Sequence, residues 1–335
     1  MERIHWIDYC KVLGIYLVIL GHFTPNYMES FSSQYIYSFH IPLFFIISGY
    51  LIKPYNSTQI RGYIFKLCRS LYIPFLLLSV IGLAVQFFYD SLTGSYTLST
   101  MGIYDVGGAI KSIAFGSPFG LVNSMWFVFT LLIVKFIDLM IYTLGLKSKL
   151  YKYLIYVFVL SIIFLSSLGF ISFIPDKILR VFYAYPFFVI GRIIHNNKYI
   201  MNIKDRRITL SIMVLTLFMP VISIYSNGFV DLFLGIFGNN IFMYYFWSIV
   251  ISLLVLLSIR QIFNKHIDFI QTLSNGTLLI LAFHKIVLYV FVQYNENFLL
   301  RLFVSIFTLT IFYYPIKYFE RFCPILIGKT KKNEK

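Results

Sequence analysis

The sequence predicts an all-α, polytopic membrane protein with about ten transmembrane helices and both termini in the cytoplasm. Hydrophobic residues make up 59% of the 335 residues, and charged residues only 12%, against roughly 25% in soluble domains. The apolar residues occur in continuous runs rather than in the two-residue alternation of a membrane barrel. These observations exclude a soluble globular enzyme, a disordered chain and a coiled coil.

Ten segments approach the length of about 17–25 residues that a helix needs to cross a bilayer. Between the seventh and the eighth, the apolar run Phe229–Phe237 is too short to span, so we predict a re-entrant or interfacial piece over 227–240. The ten segments are 6–23, 35–52, 70–89, 124–144, 151–172, 178–195, 207–226, 238–258, 276–294 and 298–317.

The distribution of positive charge supports this topology. With the N-terminus inside, 21 of the 28 Lys and Arg residues fall in segments predicted to be cytoplasmic, and four in outer loops. Such a bias is typical of a chain with both termini inside. We therefore predict one transmembrane domain over 1–325 and a basic cytoplasmic tail over 326–335 that lies against anionic membrane lipid.

Ionisable residues inside a span are costly and are functional candidates for that reason. The first span carries Asp8 and Lys11, which are three residues apart and can pair on one helix face. His22 follows Lys11 by eleven residues, close to three turns and about 16 Å along the axis. One helix face therefore joins an inner cation to an outer imidazole. The alternative is a snorkelling lysine and an interfacial histidine.

The second span repeats this theme. His40 is predicted to lie at a depth similar to that of His22, because the short loop 24–34 makes the two helices neighbours. Pro42 frees a backbone carbonyl and is predicted to kink the helix. Ser48 and Gly49 permit close packing on a neighbouring helix, which is the favoured interpretation of Ser48; a cavity-lining role is the other.

Other polar residues have two interpretations each. Trp126 suits either a membrane-interface belt or a cavity wall, and His284 either a cavity or a core histidine bonded to a backbone carbonyl. Lys135 and Asp138, three apart, look like a structural ion pair. Arg192 suits either a site or a positive-inside anchor.

Two motifs give the chain a resemblance to a known family. The first is a basic residue, ten residues and a histidine, here Lys11 to His22, with Asp8 upstream. The second is Ser38-Phe-His40-Ile-Pro42-Leu-Phe-Phe-Ile-Ile-Ser48-Gly49-Tyr in the next span. Over nearly its whole length the chain resembles the acyltransferase-3 family of integral membrane O-acyltransferases, which modify bacterial surface glycans.

The resemblance implies a fold of about ten helices in the bacterial cytoplasmic membrane. It also implies an acyl-CoA donor, usually acetyl-CoA, and as acceptor a sugar hydroxyl of a glycan or lipid-linked glycan. No metal and no nucleic-acid partner are expected, and a homo-oligomer is left open. The candidate residues are His22 and His40 for catalysis; Lys11, Asp8, Arg69 and Arg192 for donor binding; and Ser48, Trp126 and His284 for the substrate cavity.

Two catalytic routes remain open at this level. His22 either removes the proton of the sugar hydroxyl, since imidazole titrates near pH 6.5, or carries the acetyl group itself. His40 either orients His22 or donates to the thioester oxygen. Where the family often has arginine, Lys11 offers a point charge without bidentate geometry.

Intramembrane His and Lys also occur in proton-coupled transporters, so a transporter of a glycan or lipid-linked sugar is the alternative function. Against it, the sequence lacks the matched pair of broken helices typical of such folds.

Overall fold

The computed structural model is about 80% helical, which confirms the predicted all-α class. Among the residues it describes, the sheet is limited to one two-stranded hairpin. Residues 330–335 of the predicted basic tail lie outside those residues. The described residues are 3–24, 26–94, 105–145, 149–170, 173–197, 201, 205–291 and 297–329.

The helices of the described residues are numbered here in chain order. They are α1 His5–His22, α2 Phe31–Tyr37, α3 His40–Tyr50, α4 Ile60–Leu67, α5 Ile73–Thr93, α6 Val106–Ala114, α7 Trp126–Gly145, α8 Lys149–Ser167, α9 Asp176–Asn196, α10 Arg206–Asn227, α11 Ile241–Ile262, α12 Asp268–Asn275, α13 Thr277–Phe291, α14 Phe298–Ile311 and α15 Tyr313–Phe322. Shorter elements are the 3₁₀ turns Ser57–Gln59, Gly120–Met125 and Pro324–Ile327, the π-helical turn Cys68–Tyr72, and the strands β1 Val230–Asp231 and β2 Ile236–Phe237.

The contacts divide the chain into two compact units. The first consists of Met1–Thr58 and Ile133–Gln271, and the second of Gln59–Leu132 and Thr272–Lys335. Of the helices in the described residues, six are long and apolar enough to cross a membrane, and two further apolar helices are shorter. The predicted count of about ten spans and the cytoplasmic termini stay predictions.

Proline determines where the second predicted span is interrupted. The span 35–52 is divided into α2 and α3 at Phe39, whose φ is −149°, so Pro42 lies in the first turn of α3, where a missing N–H costs nothing. The break therefore falls three residues before Pro42 rather than at it. The carbonyl of Ser38, which would have bonded to the N–H of residue 42, instead accepts a 2.6 Å hydrogen bond from the hydroxyl of Ser248 on α11.

Helices α3 and α9 pack with their backbones in direct contact. A methyl group added at Gly49 would overlap the carbonyl oxygen of Phe188, and one added at Gly191 would overlap the carbonyl oxygen of Ile46. Because each glycine lacks a side chain, the backbone of each helix can approach that of the other. This confirms the predicted close packing at Gly49 and adds its partner, Gly191.

Segment 227–240, predicted to be re-entrant or interfacial, forms the hairpin. Val230 pairs with Phe237 and Asp231 with Ile236. At its base, Asn227 donates from Nδ2 to the carbonyl of Phe237 at 2.9 Å and accepts at Oδ1 from the N–H of Asn240 at 2.8 Å. At the base of the hairpin, the side chain of Asn227 thus provides hydrogen bonds where the two strands no longer pair.

The second unit is built around α5, α13 and the 3₁₀ turn Gly120–Met125, which contact one another. Gln86 of α5 fixes that turn, because its Oε1 accepts from the N–H of Leu121 at 3.1 Å while its Nε2 donates to Asp90 at 2.8 Å. The turn leads directly into Trp126.

Replacing either glycine of the α3–α9 contact should destabilise the protein. We expect Gly49→Ala and Gly191→Ala each to cost about 1–3 kcal/mol, because two backbones must separate to admit the methyl group. The control is Gly62→Ala on α4, where nothing lies within 4 Å of the added methyl. The measurement is the melting temperature of the purified protein in detergent. Equal melting temperatures for all three variants would contradict the packing described here.

Candidate active site

Helix α1 carries three of the predicted site residues. Asp8 is buried, Lys11 is half-buried, and His22 is the last residue of the helix and half-buried. The helix places Lys11 and His22 about 16 Å apart along its axis.

Helix α1 runs antiparallel to α3 and to the preceding α2, and three contacts fix its register, two with α3 and one with α2. The rings of Trp6 and Tyr50 lie 5.4 Å apart. A methyl group at Gly14 would lie 2.7 Å from Cζ of Phe44, and one at Gly21 would lie 3.2 Å from Cε2 of Tyr37. In each contact the two residue numbers sum to nearly the same value, as antiparallel packing requires.

This register sets the depths of the two candidate catalytic histidines. Gly21, the residue before His22, lies against Tyr37 at the end of α2, and His40 lies opposite a position about one turn back along α1. The offset is about 6 Å along the helix axis. The two histidines therefore lie toward the same end of the α1–α3 pair, and His40 lies about one helical turn farther from that end.

His40 is buried and held in one orientation. Its Nδ1 lies 2.9 Å from the carbonyl oxygen of Ile36, and its ring packs edge-on against Tyr37 with centroids 4.9 Å apart. A carbonyl can only accept, so Nδ1 carries the proton, and in the neutral ring Nε2 is the basic nitrogen.

At the other end of α1, Asp8 binds a cation. Arg3 donates to both oxygens of Asp8, from Nε at 2.6 Å and from a terminal nitrogen at 2.8 Å. Bidentate pairs of this kind fix both partners. Arg3 therefore joins Lys11 as a second cation at this end of the helix.

Arg192, predicted as a donor-binding cation, belongs to a buried polar network. It forms an ion pair with Asp138, whose two oxygens also accept hydrogen bonds from the hydroxyls of Tyr55 at 2.6 Å and Tyr185 at 3.3 Å. The sequence predicts Lys135 as the ion-pair partner of Asp138, and the structure adds Arg192. The predicted pairing followed helical spacing, whereas the partners that the structure adds come from two other segments, α9 and the loop after α3. Ser48 is half-buried on α3, beside the α3–α9 contact.

The remaining predicted residues belong to the second unit. Arg69 lies in the π-helical turn, and within the described part of the chain its buried Nε has no hydrogen-bond partner. Trp126 begins α7 and packs edge-on against Phe127, with centroids 6.2 Å apart. His284 is fully buried, and its Nδ1 lies 3.0 Å from the carbonyl of Ile280, the arrangement of a core histidine.

An apolar cavity of about 610 Å³ lies among α8, α9 and α11. Its lining includes Leu160, Phe164, Val189 and Ile249, and none of the predicted site residues. The described residues also contain no group of three or more His, Cys, Asp or Glu side chains able to hold a metal ion.

Sequence reasoning missed several residues of these networks. Tyr185 precedes the predicted residue Arg192 by seven positions on α9 and shares its helix face, and that spacing could have indicated a common partner. Tyr55 follows α3 in a loop and gave no comparable signal. Arg3 precedes the helix and lies five residues from Asp8, outside the spacing of helical pairs.

One comparison with known proteins identifies a relationship. A family model of the acyltransferase-3 type, described as "Acyltransferase domain", matches residues 4–317. Neither a curated protein nor a solved structure matched the chain.

Removing the charge of Asp138 should destabilise the first unit. We expect Asp138→Asn to cost about 3–5 kcal/mol, because it leaves the Arg192 cation without its buried counter-ion. The control, Asp176→Asn, changes an exposed carboxylate at the start of the same helix α9. Melting temperatures of the two variants in detergent give the comparison, and an Asp138→Asn variant as stable as its control would contradict the role of the network.

Proposed function

Because the chain belongs to the acyltransferase-3 family, we propose that it is a membrane O-acetyltransferase of the bacterial cytoplasmic membrane. It moves an acetyl group from cytoplasmic acetyl-CoA to a sugar hydroxyl of a cell-surface glycan such as an O-antigen, a capsule or an exopolysaccharide. The observation that carries the proposal is the antiparallel packing of α1 and α3. It brings His22 and His40 to one end of the pair and leaves Lys11 at a different depth of the same helix.

This separation matches the chemistry of the two substrates. Acetyl-CoA carries several negative phosphates and stays in the cytoplasm, while a surface glycan is reached from the outer face. An enzyme that joins them needs cations at its inner end and a proton acceptor deeper in the membrane. Lys11 and the two imidazoles supply these groups on one pair of helices.

The tautomer of His40 decides between its two predicted roles, which are to orient His22 or to donate a hydrogen bond to the thioester oxygen. With Nδ1–H donating to the Ile36 carbonyl, Nε2 of the neutral ring accepts hydrogen bonds and cannot donate one to the thioester oxygen. His40 therefore acts by accepting, either from the ring of His22 or from the sugar hydroxyl. His22 removes the proton as the hydroxyl oxygen attacks the thioester carbon. The carbon–sulfur bond then breaks, and the CoA thiolate takes up the proton.

On the donor side, Lys11 is the principal cation for the CoA phosphates, and Asp8, held by Arg3, steadies this end of α1. Arg192 is neutralised by Asp138, so the proposal does not depend on its charge. Arg69, in the second unit, stays a predicted donor-binding residue: its buried Nε has no hydrogen-bond partner among the described residues, and such a group favours an anionic ligand.

Replacing His22 should abolish acetyl transfer without preventing membrane insertion. Membranes that carry the protein are incubated with radiolabelled acetyl-CoA, and label in the glycan fraction is counted. We expect His22→Ala to lower transfer by about 100-fold or more, the usual loss on removing a general base. The control is His266→Ala, an exposed histidine of the same unit, which should transfer normally. Near-normal transfer by His22→Ala would refute the catalytic assignment, and a wild type that transfers no label would refute the function.

Replacing Lys11 should weaken donor binding more than turnover. We expect Lys11→Ala to raise the KM for acetyl-CoA by roughly 10–100-fold, since a lost charge-assisted hydrogen bond costs about 1.5–3 kcal/mol. Lys53→Ala removes an exposed cation of the same unit and should leave this KM unchanged. If the KM for acetyl-CoA is the same in both variants, Lys11 does not contact the donor.

A further inference from the structure

Three aromatic rings form a triangle at the end of the first unit where His22 and His40 lie. The centroid distances are 5.6 Å between Tyr27 and Tyr37, 5.9 Å between Tyr27 and Phe229, and 5.8 Å between Tyr37 and Phe229. All three side chains are half-buried, so each presents part of its surface to the outside of the fold.

Tyr37 connects this triangle to the candidate catalytic residues. Its ring packs against His40 with centroids 4.9 Å apart and also against the backbone of Gly21, the residue before His22. A molecule resting on the triangle therefore lies beside the ring of His40 and the backbone that precedes His22.

The hairpin adds a carboxylate to this wall. Asp231 of β1 is buried, and within the described residues the hydrogen bonds that it accepts, from the N–H groups of Phe233 at 2.7 Å and Leu234 at 3.4 Å, both end on Oδ1. Burial raises the pKa of Asp231 to about 6, while these N–H groups and the charge of Arg180 act in the opposite direction. Burial and then the charge of Asp231 raise the pKa of Tyr27, and Asp231 follows Phe229 by two residues on the strand that contacts α2.

Dedicated anchors hold the hairpin in place. Arg180 of α9 donates from Nε to the carbonyl of Phe233 at 2.7 Å, and its guanidinium carbon lies 3.9 Å from the centroid of the Phe233 ring. Asn227 fixes the base of the hairpin through its side-chain amide. Strand β1 in turn contacts α2, which carries Tyr37.

We propose that Tyr27, Tyr37, Phe229 and Asp231 form the binding wall for the sugar ring that accepts the acyl group. The inference rests on the proposed function and gives a binding location for the sugar acceptor of that reaction. The aromatic rings contact the carbon–hydrogen face of a pyranose, and Oδ2 of Asp231 accepts from one of its hydroxyls. The hydroxyl to be acetylated then points toward His22 and His40.

The chemistry of the wall favours a neutral, hydroxyl-bearing ligand. Amphipathic rings with one well-placed polar acceptor suit a molecule that has an apolar face and polar edges. A carboxylate disfavours the phosphates of CoA and of anionic lipid headgroups through like-charge repulsion. A purely apolar chain would leave the buried carboxylate without a donor for Oδ2.

Direct sugar binding tests the inference without requiring turnover. Purified full-length protein in fluorescent nanodiscs is applied to an array of immobilised hexose, deoxyhexose and N-acetylhexosamine pyranosides. Wild-type nanodiscs should bind at least one class, and Tyr27→Ala and Asp231→Asn should each weaken that binding by about tenfold or more. Asparagine keeps an acceptor oxygen for the N–H of Phe233, so Asp231→Asn preserves the hairpin while it removes the charge.

The matched control is Leu234→Ala, an exposed side chain of the same hairpin outside the triangle, which should bind as wild type does. The inference is overturned if wild type binds no pyranoside, or if Tyr27→Ala and Asp231→Asn bind as Leu234→Ala does. The radiolabel assay separates this failure from failure of the function. Transfer to glycan without sugar binding at this wall would support the proposed function and show that the acceptor binds elsewhere. Sugar binding without transfer would support a sugar site at the wall and refute the transferase function.

Discussion

The geometry of the first unit depends on the contact between the backbones of α3 and α9. Because Gly49 and Gly191 face each other across this contact, neither helix can shift without opening a gap or creating a clash. With α3 fixed in this way, Phe44 and Tyr50 set the register of α1. Their contacts with α1 determine where along the helix pair His22 and His40 lie, so a packing constraint at two glycines fixes the position of the candidate chemistry.

Electrostatics divide the buried charges of this unit into structural and functional groups. Three carboxylates have an arginine nearby: Asp8 has Arg3, Asp138 has Arg192, and Asp231 lies within the electrostatic reach of Arg180. Asp138 also accepts hydrogen bonds from two tyrosine hydroxyls, as expected for a buried ion whose loss of hydration must be offset by polar contacts. Asp231 differs, because its described hydrogen bonds, which fix the hairpin turn, both use one oxygen; in the proposed wall the other oxygen accepts from the sugar.

Local sequence patterns predicted the elements that depend on local physics. Apolar runs predicted the helices, Pro42 predicted a freed carbonyl, and Gly49 predicted a close helix contact. The interactions that sequence reasoning missed join distant segments. Ser248 satisfies the Ser38 carbonyl from 210 residues away, and Tyr55 reaches Asp138 from a loop. Similarly, the apolar run Phe229–Phe237 gave no sign that Asp231 would organise a turn by accepting from two backbone N–H groups.

The proposed reaction joins an inner donor to an outer acceptor through the α1–α3 pair. The most direct measurement uses sealed, right-side-out vesicles that carry the protein, with radiolabelled acetyl-CoA either enclosed or added outside and glycan present only outside. We expect label to reach the external glycan when acetyl-CoA is enclosed and not when it is added outside. Label that reaches the glycan only from external acetyl-CoA would contradict it, because donor and acceptor would then bind on the same side of the membrane.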